Sequence, residues 1–258
     1  MNTHFAITHY RGNKLQMLRN VAILSPSIIQ VRTGSKRLYW QESTLELNQR
    51  HLLYCPASQK LTFENLPAHG QFASRQFSFS LLPEPAMLEL SQARATSDGP
   101  VRKTSPSILH SLDILASLNT QELTLATQTY WLLGLYQQLA EAGKLHLLFP
   151  LGAARFEQKL SEFIAAEPGK NHQIEDACHH FALSKATLIR RLKEEGTQYR
   201  QVLTNVRLGH ALNLMQNGVR SSGELALMCG YQSTERFTQR FRQRFGLTPR
   251  EYLKTLPS

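Results

Sequence analysis

The chain has 258 residues, of which 41% are hydrophobic and 19% charged, a globular composition that excludes a disordered or fibrous chain. Its 29 Lys and Arg against 19 Asp and Glu give a formal net charge of +10, which puts polyanions such as nucleic acid first among partner classes. No apolar run approaches the ~18 residues of a membrane span, the N-terminus lacks a secretory core, and the three cysteines are widely spaced; a reduced, cytoplasmic protein with no membrane partner is expected.

From Ser27 to Phe79 short alternating runs are separated by turn residues. Ile28 to Val31 runs into Thr33-Gly34-Ser35, Leu38-Tyr39-Trp40 and Leu45-Glu46-Leu47 follow, His51 to Cys55 stops at Pro56, Leu61 to Phe63 stops before Asn65, and Gln71 to Phe79 closes the series. This spacing predicts an all-β sandwich or barrel within residues 1–103, with an interior that is either filled or holds one small ligand. Lys36, Arg37, Tyr39 and Trp40 are candidates for a pocket that takes an anionic effector. The plainer reading is an alternating strand with its charges in water.

Thr96-Ser97-Asp98-Gly99-Pro100 reads as a loop, after which the period becomes helical over residues 104–142. Ile108, Leu112, Leu115 and Leu118 mark one helix; Asn119-Thr120-Gln121-Glu122 has the form of a capping box opening a second, about Glu122 to Ala142. Helices this apolar either cover the β-body or form a homodimer contact. Residues 143–152 are expected to be a linker to a domain over 153–258.

That last part is about twice as basic per residue, with net charge +6 over 151–258 against +4 over 1–150. It contains a repeat. Ala177, Ser184, Leu188 and Leu192 recur as Ala226, Ser233, Phe237 and Phe241, each 49 positions later. Each copy reads as a short helix, a tight turn, a Ser suited to N-capping, and a second helix held inward by apolar residues at i and i+4. The copies span 174–195 and 221–245 and have the form of helix-turn-helix units, whose second helices enter the DNA major groove. Between them Tyr199 to Gln216 predicts one helix, a rod of roughly 27 Å at ~1.5 Å per residue. Successive major-groove faces are ~34 Å apart, so such a rod suits two recognition helices on one side of a duplex.

On Gly230-Tyr231-Gln232-Ser233, Phe237 to Arg242 and Phe245-Gly246-Leu247-Thr248-Pro249-Arg250-Glu251-Tyr252, the C-terminal part closely resembles the DNA-binding domain of AraC/XylS-family bacterial transcription regulators. Ser184 to Leu192 and Glu195-Gly196-Thr197 match more loosely, and Ala182 stands where the family usually has Gly. The resemblance implies an α+β, two-domain protein: a cupin-like N-terminal barrel with following helices, then an all-α domain with two helix-turn-helix motifs joined by a long helix. It implies promoter DNA and RNA polymerase as partners and a small-molecule effector as a candidate; a homodimer is a candidate from the apolar helices, and no cofactor is expected. Matched to the motif, Ala186, Ile189 and Arg190 in the first recognition helix are base-facing, and in the second helix Thr234, Glu235, Arg236, Thr238 and Gln239 face outward. Arg190 suits guanine, Gln239 adenine and Glu235 a cytosine amine, while Ala186 and Ile189 can pack on thymine methyls. Lys185, Arg191, Arg240, Arg242, Arg244 and Lys254 are assigned to phosphates.

Cys178-His179-His180 looks like a ligand cluster, but adjacent helical residues point apart and no second pair follows at zinc spacing. No nucleophile elbow, P-loop or dinucleotide turn is present, and His51 and His69 are isolated. The expected function is a sequence-specific transcription regulator, an activator in the first instance and not an enzyme. The alternatives are a non-specific architectural DNA binder and an enzyme whose barrel half does the chemistry.

Overall fold

The computed structural model describes residues 3–96, 99–150 and 155–257. Among the described residues nine strands form two antiparallel sheets. β1 (Phe5–Gly12), β8 (Phe72–Phe79), β3 (Ser27–Thr33), β6 (His51–Cys55) and β9 (Val101–Lys103) lie side by side in that order; β2 (Gln16–Ala22), β7 (Lys60–Leu66), β4 (Ser35–Trp40) and β5 (Ser43–Leu47) make the second sheet. β1 and β2 precede the run predicted from sequence, because their exposed polar residues dilute the alternation.

The five-stranded sheet is covered on both faces, which explains why its strands read as continuous apolar runs. Ile28, Leu52, Tyr54 and Phe77 pack against helices, whereas their neighbours Ile29, Leu53 and Cys55 pack inward against Leu38, Leu61 and Phe63 of the other sheet. The covering helices are α1 (Pro85–Ala93), α2 (Pro106–Ser117) and α3 (Leu125–Glu141). Ser105 caps α2, its hydroxyl accepting from the Ile108 amide at 3.4 Å. The expected start of α3 is corrected. Asn119 and Glu122 bond to each other in a turn, and the helix begins at Leu125 with the Thr124 hydroxyl accepting from the Thr127 amide at 3.2 Å. The buried face also differs from the apolar pattern, since Leu125 is exposed and Gln128 is buried. The Gln128 side chain is buried because it is satisfied: it accepts from the His4 amide and donates to the Thr120 and Leu123 carbonyls.

The stretch expected as a linker is largely packed. Leu145–Leu147 forms a short 3-10 turn, and Leu145, Leu148 and Phe149 join the core beneath α3. Positions 151 and 152 of that stretch, and Ser97 and Asp98 of the expected loop, lie outside the described residues.

The C-terminal part is all helical: α4 (Phe156–Ala165), α5 (Ile174–Phe181), α6 (Lys185–Glu194), α7 (Tyr199–Gln216), α8 (Ser222–Met228), α9 (Thr234–Phe245) and α10 (Pro249–Leu253). It holds two cores. Leu160, Ile164, Ala177, Leu188, Leu192 and Val202 form one around the first unit. Leu212, Met215, Leu225, Phe237 and Phe241 are continuous with the barrel core instead. Polar contacts follow the same seam: Tyr10 donates to Asn213 at 3.0 Å, the Arg11 amide to Gln216 at 2.9 Å, and the Asn13 amide to the Thr255 carbonyl at 2.8 Å.

Candidate nucleic-acid interface

The two copies of the repeat build equivalent local structures. Ser184 accepts from the Thr187 amide and Ser233 from the Arg236 amide, both at 3.2 Å, so each hydroxyl satisfies a backbone donor that a helix start leaves open. Leu188, Leu192, Phe237 and Phe241 are all buried to within 1% exposure. With one face of each helix locked inward, the opposite face is forced into solvent.

The turns differ by one residue. In the second unit Gly230 takes the left-handed conformation; in the first it is Ala182, at φ +51°, two positions before the capping Ser rather than three. The first turn therefore keeps the left-handed residue, with an alanine bearing its steric cost of ~1 kcal/mol.

On α6, Lys185, Ala186, Ile189, Arg190 and Arg191 are exposed. Arg190 pairs with Glu194 at 3.1 Å, and Lys185 with Glu175 at 2.9 Å. Such exposed pairs are weak. Arg191 keeps its guanidinium 5.8 Å over the Phe156 ring. On α9, Glu235, Arg236, Gln239, Arg240 and Arg242 are exposed and Thr234 and Thr238 half-buried. Thr234, Glu235, Thr238, Gln239 and Arg242 line one open groove together with Thr248. Hydrogen bonds from its own backbone amide and the Ser233 hydroxyl hold the Glu235 carboxyl below the usual range, keeping it an acceptor. Lys254 is exposed just past α10.

Arg244 is set apart from the other cations of α9, being half-buried. It turns inward: its Nη2 is enclosed, and its guanidinium faces Glu157 on α4, with burial pushing its pKa down. At i+3 from the anchor Phe241 it lies toward the inward side of the helix.

Sequence reasoning missed three contributors. Lys193 and Arg200 line a groove of about 810 Å³ beside α6, along with Lys185 and Ile189. Lys193 is legible as the i+8 continuation of Lys185 on α6; Arg200 is placed there only because α7 starts beside that helix. Glu195 caps α4, accepting from the Phe156 amide at 2.5 Å and the Glu157 amide at 2.7 Å. The His180 ring lies 4.5 Å from that of Phe163, and among the described residues no group of three His, Cys, Asp or Glu is placed to hold a metal.

The four candidates for an effector pocket are not brought together. Alternation along β4 points Lys36 into the barrel and Arg37 and Tyr39 outward, where Arg37 pairs with Glu46 at 2.8 Å and Glu64 at 3.0 Å. Trp40 packs half-buried at the strand end. Lys36 is 3% exposed, sits 3.5 Å above the Phe63 ring centroid, and donates to Asn65. Asn65 donates to Gln16 at 2.8 Å, and Gln16 to Thr255 beyond α10 at 2.9 Å. Burial lowers the Lys36 pKa to about 7. The remaining cavity beside it is about 40 Å³, walled by Leu18, Ile29, Phe63, Leu212 and Tyr252 among others.

The helix-turn-helix domain model matches residues 177–255, from within α5 through the rod and the second unit to just past α10. Residues 177–255 thus carry a helix-turn-helix domain, and over this region the chain is similar to bacterial transcription regulators. The urease operon transcriptional activator of Escherichia coli is 30% identical over 95 residues, 37% of this chain and 32% of that protein. The HTH-type transcriptional regulator YdeO of Escherichia coli K12 is 32% identical over 104 residues, 40% of each chain. The match thus spans about a third to two fifths of these relatives' length. Over the whole fold the chain is similar to ToxT from Vibrio cholerae, with a TM-score of 0.64 at 13% identity, covering 99% of this chain and 100% of that one. No helix among the described residues is long and apolar enough to cross a membrane.

Proposed function

We propose that this protein is a sequence-specific transcription activator that reads two adjacent major grooves of promoter DNA with α6 and α9. The observation that carries this reading is the pair of Ser-capped helices, each anchored by two buried apolar residues and each offering a polar, basic outer face, joined by the 18-residue rod α7. In α6, Ala186, Ile189 and Arg190 read bases; in α9, Thr234, Glu235, Arg236, Thr238 and Gln239 do so. Lys185, Arg191, Lys193, Arg200, Arg240, Arg242 and Lys254 bind phosphates, which adds affinity without sequence information. RNA polymerase is the downstream partner, and the exposed Tyr130 and Trp131 of α3 supply the homodimer contact. The barrel carries no chemistry. Competition binding of the full-length protein tests this, with promoter fragments against random duplex at fixed salt. A specificity ratio of ~10³ or more is expected, whereas a ratio near one would make the protein an architectural DNA binder.

The second proposed element is control by a small amphipathic carboxylate in the barrel. Lys36 favours it: a buried ammonium with apolar walls around it is a receptor for one anionic head and an apolar tail. An unsaturated fatty acid is bound in a structure of ToxT. The cavity of about 40 Å³ must open to admit such a ligand. Oleate is expected to raise the melting temperature of the wild-type protein and to leave Lys36→Met unchanged; an equal shift in both would remove Lys36 from the site.

A further inference from the structure

α7 does more than separate the two units. Arg207, half-buried midway along it, reaches back to the loop between α4 and α5: Nη2 donates to the Lys170 carbonyl at 2.8 Å and Nε to the Pro168 carbonyl at 3.3 Å. The same guanidinium lies 5.8 Å from the Tyr231 ring centroid, in the turn of the second unit. One planar fork therefore touches the segment that leads into α5 and the turn that sets the direction of α9.

Two glycines make this approach possible. A Cβ on Gly230, whose φ is +72°, would lie 2.6 Å from Arg207 Nη2 and 2.9 Å from the Gly169 carbonyl. A Cβ on Gly169 would lie 2.7 Å from the Met228 carbonyl at the end of α8. The loop and the turn are thus in backbone contact, with the guanidinium closing the gap. The first unit has its own core and the second shares the barrel's, so apart from α7 itself this clamp is a direct tie between them.

We infer that Arg207 is a positioning residue that fixes the mutual angle and separation of the two recognition helices, and so sets the spacing of the two half-sites that the protein accepts. This rests on the two-groove reading above. Lysine cannot substitute: its single ammonium cannot serve two carbonyls along a planar fork and also stack on Tyr231. With the clamp loosened, each helix still recognises its own bases while the two lose their fixed relation.

The test uses the full-length protein. Selection from a randomised duplex library yields the wild-type site, and gel-shift titrations follow on that duplex and on versions with one or two base pairs inserted or deleted between the half-sites. Each base pair rotates one half-site by about 35°, so the wild type is expected to lose ~10-fold or more in affinity per inserted pair. Arg207→Lys and Gly230→Ala are expected to bind the selected spacing ~5-fold more weakly, yet to lose under ~3-fold on insertion, with base preferences within each half-site unchanged. Reading the ratio between spacings cancels any loss of folded protein. A spacing profile as sharp in Arg207→Lys as in the wild type overturns the role of Arg207 alone. A wild-type selection that returns a single half-site, or a flat wild-type profile, overturns the two-groove reading and this inference with it.

Discussion

Replacing Lys36 by methionine probes the barrel interior through a pH-dependent change in stability. An unfolded lysine keeps its proton to about pH 10.5, whereas the buried Lys36 releases it near 7. Between those values the unfolded chain binds more protons, so the contribution of this residue to stability rises with pH. Each unit of displacement is worth about 1.4 kcal/mol, so the cost of keeping the ammonium charged inside is at most about 5 kcal/mol below pH 7; local relaxation brings the measurable part to about 2–4 kcal/mol. Methionine also leaves the Asn65 carbonyl oxygen without its donor, a cost of about 1–3 kcal/mol that does not depend on pH. The groups facing Lys36, the Cys55 thiol with Tyr10 and Tyr252 in the same cavity wall, are raised by burial and act in the opposite direction, but they are present in both proteins. Urea denaturation at pH 6, 7, 8, 9 and 10 isolates the effect as a difference. Lys36→Met is expected to gain relative to the wild type at pH 6, and that advantage should shrink by about 2–4 kcal/mol by pH 10. A difference that stays constant across the range would refute a buried, displaced lysine.

Three further outcomes follow from local geometry. Ala182→Gly should stabilise the protein by about 0.5–1 kcal/mol in chemical denaturation, because glycine adopts the left-handed conformation at φ +51° without strain. Ser184→Ala and Ser233→Ala should each cost about 1 kcal/mol in the same assay, since each removes a helix cap. Arg190→Ala should relax specificity at one base step by about 1–3 kcal/mol, whereas Arg240→Ala should weaken binding to all sequences alike and lower the salt slope by about one; both are read from binding isotherms at several salt concentrations.

The repeat was legible because its signal is local. A capping Ser followed by buried residues at i+4 and i+8 implies the same helix wherever it occurs, and the predicted rod Tyr199 to Gln216 matches the observed α7 at both ends. The pocket was not legible for the opposite reason. Lys36-Arg37 and Tyr39-Trp40 are neighbours in sequence, but in a strand neighbours face opposite ways, and only the pairing of β4 with β5 and β7 determines which face is inside. The half-burial of Arg244 was not legible either, because a terminal Arg in a basic helix looks fully solvent-facing in the sequence. The core shared by the barrel and the second unit leaves no local trace either. Leu212 and Phe241 carry the periodicity of any amphipathic helix, and what covers them is a tertiary fact. Arg207 belongs to the same class, one cation on a helix whose partners come from two loops distant in sequence.

Hydroxyl-radical footprinting of the 258-residue chain on its selected duplex decides whether both recognition helices engage DNA together. Two recognition helices held by one rod should protect two segments on the same side of the duplex, about 10 base pairs apart from centre to centre, with Arg190→Ala altering base preference in one segment and Gln239→Ala in the other. Protection of one segment only, or uniform protection without preference for sequence, would contradict the account.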